Sequence, residues 1–128
     1  MKDIIREYLD AIESGDVQQV IRLFSEDAIV HSPLYGDQPA SGFFTKLFAD
    51  TNRSIITLLN IFQAVDKEEL YSVHFRYDWI LKNGAATSFE CIDIFRFDQQ
   101  GKVREMTIIY DTSRIRNQFE ELGQNDLF

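Results

Sequence analysis

Ile5, Tyr8, Leu9 and Ile12 recur at helical spacing, and the pattern stops at Gly15, so the chain opens with an amphipathic helix. Asp16 can cap a second helix whose inner face is Val17, Val20, Ile21 and Phe24, closing a helical hairpin. Residues 28–32 form a short strand, ended by Pro33 and by a polar loop holding Gly36 and Pro39. Ser41 opens a third helix with Phe44, Leu47 and Phe48 turned inward. From Ser54 onward the apolar period falls to two, which predicts strands over 55–65, Leu70–Leu81, 87–98 and 103–111. Polar turns at 66–69, 82–84 and 98–101 join them into an antiparallel meander, and 113–122 is a weakly helical tail.

Helices followed by a long meander is an α+β plan, here one domain spanning 1–128. Three N-terminal helices are expected to cover one face of a curved antiparallel sheet and to leave a cone-shaped cavity. On the strand Leu70–Leu81 one face carries Tyr71, Val73, Phe75, Tyr77, Trp79 and Leu81, and the other Ser72, His74, Arg76 and Asp78. The first face is core or pocket; the second is wet or meets a partner. On the next strand Phe89, Cys91, Asp93, Phe95 and Phe97 share a face, so a single carboxyl sits among four apolar side chains. An ionised carboxylate there loses its hydration, and Asp93 must be neutral or hydrogen-bonded. A buried carboxyl kept protonated at neutral pH can donate a hydrogen bond to a developing oxyanion.

Composition narrows the partners. A net charge of −8 disfavours nucleic acid and anionic membrane, and no 18-residue apolar stretch or secretory leader is visible, which predicts a cytoplasmic protein. One cysteine, Cys91, excludes an internal disulfide, and its strand face makes it a core residue. Two histidines and that cysteine have no metal-ligand spacing, and no phosphate-binding loop or nucleophile elbow occurs, so neither metal nor cofactor is expected.

Several segments together resemble the ketosteroid isomerase branch of the nuclear transport factor 2-like superfamily over nearly the whole chain. They are Tyr8 ahead of Gly15 and Asp16, the run Phe24, Ser25, Glu26, Asp27 and Ala28, the pair Ser41 and Gly42, and Ile92 to Asp98 with Gly101, Lys102 and Val103. In those isomerases a helix-one tyrosine and a protonated strand aspartate donate to a steroid enolate oxygen while a carboxylate base moves the proton. The resemblance implies that Tyr8 and Asp93 are the two donors. The family's base precedes a proline on the first strand, and Ser32, before Pro33, stands there instead. A serine hydroxyl does not replace a carboxylate without an activating partner.

Two other residues are candidates for acid-base work. His31 has a suitable intrinsic pKa, and strand alternation turns it away from Ser32 unless the strand bulges. Asp111, followed by Thr112 and Gln118, is similar to the end of SnoaL-like polyketide cyclases, which carry an acid-base carboxylate deep in the same kind of cone. Pairing Phe97 with Lys102 puts Met106, Ile108 and Tyr110 on the Asp93 face and turns Asp111 away, where it caps the terminal helix; a three-residue loop reverses that parity.

The expected pocket is lined by Tyr8, Ser32, Phe44, Phe89, Asp93, Phe95, Met106, Ile108 and Tyr110, and suits a flat, hydrophobic carbonyl compound. The function expected is that of an isomerase or cyclase that polarises the ligand's carbonyl. The alternative is a ligand-binding or assembly module of the same fold, a homodimer through the sheet face that bears His74, Arg76 and Asp78.

Overall fold

The computed structural model describes residues 1–113 and 115–116. Helix α1 (Lys2–Ser14) buries Ile5, Tyr8, Leu9, Ala11 and Ile12, and ends where Gly15 turns left-handed at φ 73°. Asp16 caps α2 (Val17–Ile21) by accepting from the amides of Gln18 at 3.0 Å and Gln19 at 3.4 Å. The second helix is thus shorter than its apolar spacing predicts, and Phe24 belongs to the first strand, where it remains buried.

That strand, β1 (Phe24–Ser32), is longer than expected. The loop after it contains a short strand, β2 (Gly36–Pro39), which pairs antiparallel with β1. Helix α3 (Ala40–Ala49) starts directly from Pro39 without a side-chain cap, so Ser41 does not open it. The meander then runs through β3 (Thr51–Gln63), β4 (Leu70–Leu81), β5 (Ala86–Phe97) and β6 (Val103–Ile109). The expected terminal helix falls largely outside the described residues, as does Gln118.

The six strands form one curved sheet in the order β2-β1-β6-β5-β4-β3. It is mixed, where an antiparallel sheet was expected, because β1 lies parallel to β6, with Val30 opposite Met106. Strand patterning records which side chains are apolar but not which edge a distant strand joins. The meander is antiparallel throughout, with Val73 beside Asp93 and Asp93 beside Ile108.

The β5–β6 loop is one residue longer than anticipated, since Phe97 faces Val103 and not Lys102. Asp98 organises it by accepting from the amides of Gln100 and Lys102, each at 2.9 Å. An irregularity between Arg96 and Phe97 then sets Phe95 opposite Met106, so Met106 and Ile108 share the face of Asp93 as the sequence parity required. The concave face of the sheet and the inner faces of the helices make the core, in which Trp79, Phe44, Phe75 and Phe95 are the largest fully buried side chains. Each such side chain contributes about 1.5–3 kcal/mol of hydrophobic stabilisation. Among the described residues no helix is long and apolar enough to cross a membrane.

Candidate functional site

A cavity penetrates this core between α1, the β1–β2 turn, α3 and the inner face of β4, β5 and β6. Its apolar wall is Ile12, Phe43, Leu47, Phe75, Trp79, Phe89 and Ile108, and its polar atoms come from Tyr8, Ser32, Tyr35, Tyr77, Cys91, Asp93 and Tyr110. The centre of a water-sized sphere can range over about 40 Å³ inside it. It therefore takes a compact ligand as it stands, and a flat polycyclic one only if side chains at its mouth move aside.

Asp93 is the one carboxyl on the wall among the described residues, and it is 1% exposed. Its position follows from the alternation of β5, which aims it inward between Cys91 and Phe95. Tyr8, one turn into the buried stripe of α1, donates from its hydroxyl to Asp93 Oδ2 at 3.3 Å. Cys91 Sγ donates to Oδ1 at 3.2 Å. Burial lifts the Asp93 carboxyl from an ordinary 3.8 to about 7, and the hydrogen bonds from Cys91 and Tyr8 pull the other way. Loss of hydration wins because two weak donors offset only part of what water supplied. The same burial, reinforced by the Asp93 charge, drives the Tyr8 phenol and the Cys91 thiol up, so both stay protonated and Cys91 is no nucleophile.

The remaining phenols are tied to the scaffold. Tyr77 shares a 2.7 Å hydrogen bond with Ser54, and Tyr110 stacks on Phe89 with ring centroids 4.3 Å apart. Tyr35 donates to Asp50 Oδ2 at 2.7 Å. Ser32 reaches the cavity, but its Oγ accepts from the amides of Leu34 at 3.2 Å and Tyr35 at 3.1 Å, so it caps the turn that carries Tyr35 inward.

Of the expected site residues, Tyr8, Ser32, Phe89, Asp93, Ile108 and Tyr110 meet at the cavity. Phe44, Phe95 and Met106 do not line it; they are fully buried core beneath it, with Phe44 and Phe95 edge-on to the Tyr8 ring. His31 does not reach it either. Without a bulge at that point of β1, its ring lies on the outer side between Asp37 and Glu105, each 2.8 Å away. Asp111 is exposed beyond β6, where its Oδ1 accepts from the Ser113 amide at 2.9 Å.

Sequence reasoning missed Tyr35 and Asp50, although signals for both exist. Leu34 and Tyr35 are apolar bulk inside a Pro/Gly turn, and both are buried. Asp50 stands at the C-terminus of α3, where the helix dipole disfavours a carboxylate, so something else must hold it there. Among the described residues, no cluster of three or more His, Cys, Asp or Glu side chains could hold a metal ion.

Comparisons with known proteins bear on this site through the fold. The family model of the SnoaL-like domain matches residues 5–106. SalBIII, an epoxide hydrolase/cyclase-like enzyme with a role in pyran ring formation in the polyether salinomycin, superposes with a TM-score of 0.75 at 17% identity, over 88% of this chain and 91% of that one. A protein of Catenulispora acidiphila DSM 44928 with a ketosteroid isomerase-like fold, solved in complex with trimethylamine, gives 0.77 at 14% identity over 91% and 92%. An NTF2-like protein of unknown function from Burkholderia pseudomallei K96243 gives 0.74 at 16% identity over 90% and 94%. At these identities the likeness shows a shared fold and nothing finer.

Proposed function

We propose that this chain, which belongs to the SnoaL-like domain family, polarises the carbonyl oxygen of a compact, largely apolar ligand through Tyr8 and Asp93, in an isomerisation or a ring closure. The observation that carries this reading is a cavity-wall carboxyl held at about 7 within hydrogen-bond reach of a phenol that stays protonated. Below that pH Asp93 holds a proton. A carbonyl oxygen that displaces the Tyr8–Asp93 contact takes one hydrogen bond from each. As negative charge grows on that oxygen, both bonds strengthen in surroundings that exclude water, which is where such donors count most. Ser32, committed to its turn, takes no part in proton transfer. A carboxyl titrating near neutrality also meets the requirement for giving and retrieving a proton at working pH. The fold shared with SalBIII, an epoxide hydrolase/cyclase-like enzyme with a role in pyran ring formation, supports ring closure as one form of this reaction.

Titration of the protein with 2-butanone, followed by NMR shifts of the Trp79 indole, tests this. Saturable binding that Asp93→Leu weakens at least fivefold is expected, and that substitution should leave the fold intact because an apolar side chain replaces a buried acid. Absence of saturable binding refutes the proposal. For any ligand that is turned over, Asp93→Asn should abolish turnover and retain binding.

A second reading concerns assembly in the cytoplasm. The outer sheet face sets Ile55, Phe62 and Ile109, all more than a third exposed, beside His74, Arg76 and Asp78. A second copy of the chain covering this face would bury them. Sedimentation should then give a dimer that Phe62→Glu dissociates; a monomeric wild type refutes the assembly.

A further inference from the structure

Asp93 is a carboxyl on the cavity wall with no cation to meet it. Among the described residues that line the cavity there is no lysine, arginine or histidine, and Asp93 is 1% exposed. We propose that the cavity is also a site for a compact methylated ammonium ion, which supplies a counter-charge to the Asp93 carboxylate and rests against the aromatic wall. This does not rest on the carbonyl reading, since it concerns the same acid in its other protonation state, and it adds a second class of ligand.

The carboxylate can accept such a partner. An ionised carboxylate has about four acceptor sites, and Tyr8 and Cys91 take one on each oxygen, at 3.3 Å and 3.2 Å. Both are neutral donors, and burial keeps them so. The other titratable groups on the wall are also neutral acids pushed up by burial: Tyr77 from β4, Tyr110 beyond β6 and Tyr35 from the β1–β2 turn. Arg116 donates to the Pro33 carbonyl at 3.1 Å and is not part of the wall. An ionised Asp93 therefore carries a desolvated charge that no cation on the wall offsets, the condition in which an ion of opposite sign is held most strongly.

The surroundings of Asp93 suit an ammonium. It stands opposite Val73 and Ile108, and Phe75, opposite Cys91, is its diagonal neighbour on the same face of the sheet, about 7 Å away across the strands. The Tyr8 hydroxyl reaches it from α1, and Phe89 and Tyr110, stacked at 4.3 Å, continue the wall on the far side of Cys91. Aromatic rings attract a cation through their quadrupoles within about 6 Å of the ring centroid, most strongly where water is excluded. A quaternary ammonium has no hydrogen to place, so it avoids the loss that a primary one, with three, suffers in apolar surroundings. A carboxyl that served only as a protonated core acid would give the cavity no preference for a cation.

The test titrates the full chain, at constant ionic strength, with tetramethylammonium, charged at every pH, and with tert-butanol, similar in size and uncharged. Shifts of the Trp79 indole are followed by NMR at pH 6 and pH 8.5. Tetramethylammonium should bind about tenfold more tightly at pH 8.5 than at pH 6, the ratio of ionised fractions for a carboxyl at about 7. At pH 8.5 tert-butanol should bind at least tenfold more weakly than the cation. Asp93→Asn, which keeps the shape, should abolish the pH dependence and weaken the cation at least tenfold at pH 8.5. Phe75→Leu, which keeps the wall apolar, should weaken it about threefold and leave the pH dependence in place. Cation binding that is absent, that does not change with pH, that survives Asp93→Asn or Phe75→Leu unaltered, or that is no tighter than tert-butanol overturns the proposal. The two readings fail separately: 2-butanone binding without tetramethylammonium binding sinks this one alone, and the reverse sinks the carbonyl reading alone.

Discussion

Replacing Asp93 with Asn should make the protein more stable, and by an amount that grows with pH. In the folded chain this carboxyl titrates at about 7, against an ordinary 3.8. Between those values the folded state holds a proton that the unfolded state has released, so raising the pH pulls the equilibrium toward unfolding. At 1.36 kcal/mol per pH unit, the distance from 3.8 to about 7 amounts to a penalty of about 4 kcal/mol, complete above pH 8 and absent below pH 3. Over the accessible range from pH 5 to pH 8.5 the change is about 3 kcal/mol by the same relation. Asparagine has the same shape and no charge to desolvate, so it should show none of this slope. Urea unfolding of both proteins at several pH values, followed by Trp79 fluorescence, measures the difference directly. The two stability profiles should diverge as pH rises. Parallel profiles would mean that the carboxyl is not held dry, and the acid function built on it would fall.

Three other substitutions probe separate contacts. Tyr8→Phe removes a hydrogen bond that lowers the Asp93 pKa, so that pKa should rise further in a carboxyl NMR titration, with about 1 kcal/mol of stability lost at pH 8; an unmoved titration refutes the contact. Ser32→Ala removes the acceptor of two turn amides and should cost about 1 kcal/mol in urea unfolding; unchanged stability would deny Ser32 that role. The His31 pKa is raised by Asp37 and Glu105, so its stabilisation is complete below pH 6.5 and is lost as pH rises through the folded value. His31→Gln should abolish that part of the slope, on the order of 0.5 kcal/mol for so exposed a group, and an unaltered slope in urea unfolding would contradict it.

The residues that sequence patterning located well are those whose role depends on their own element. Gly15 ends α1 and Asp16 caps α2 as their local chemistry requires, and the alternation of β4 matches its observed bounds Leu70–Leu81. Asp93 could be singled out because the oddity is local, one carboxyl among apolar neighbours on one strand face. Its partner Tyr8 came from the family resemblance, and α1 brings the two to 3.3 Å.

What the chain does at long range was invisible in its periodicity. The parallel seating of β1 on β6 made the sheet mixed, and β2 formed from residues with no apolar alternation because the β1 edge was there to pair with them. Phe44, Phe95 and Met106 share apolar faces with pocket residues, yet they fill the core below it, since a stripe's pattern sets a side and not a depth. Asp50 is legible as a carboxyl at an unfavourable helix end, but only folding lays Tyr35 against it. Local spacing fixes which face of an element avoids water; tertiary packing alone fixes which side chains from distant elements meet, and here it is such meetings that make the chemistry.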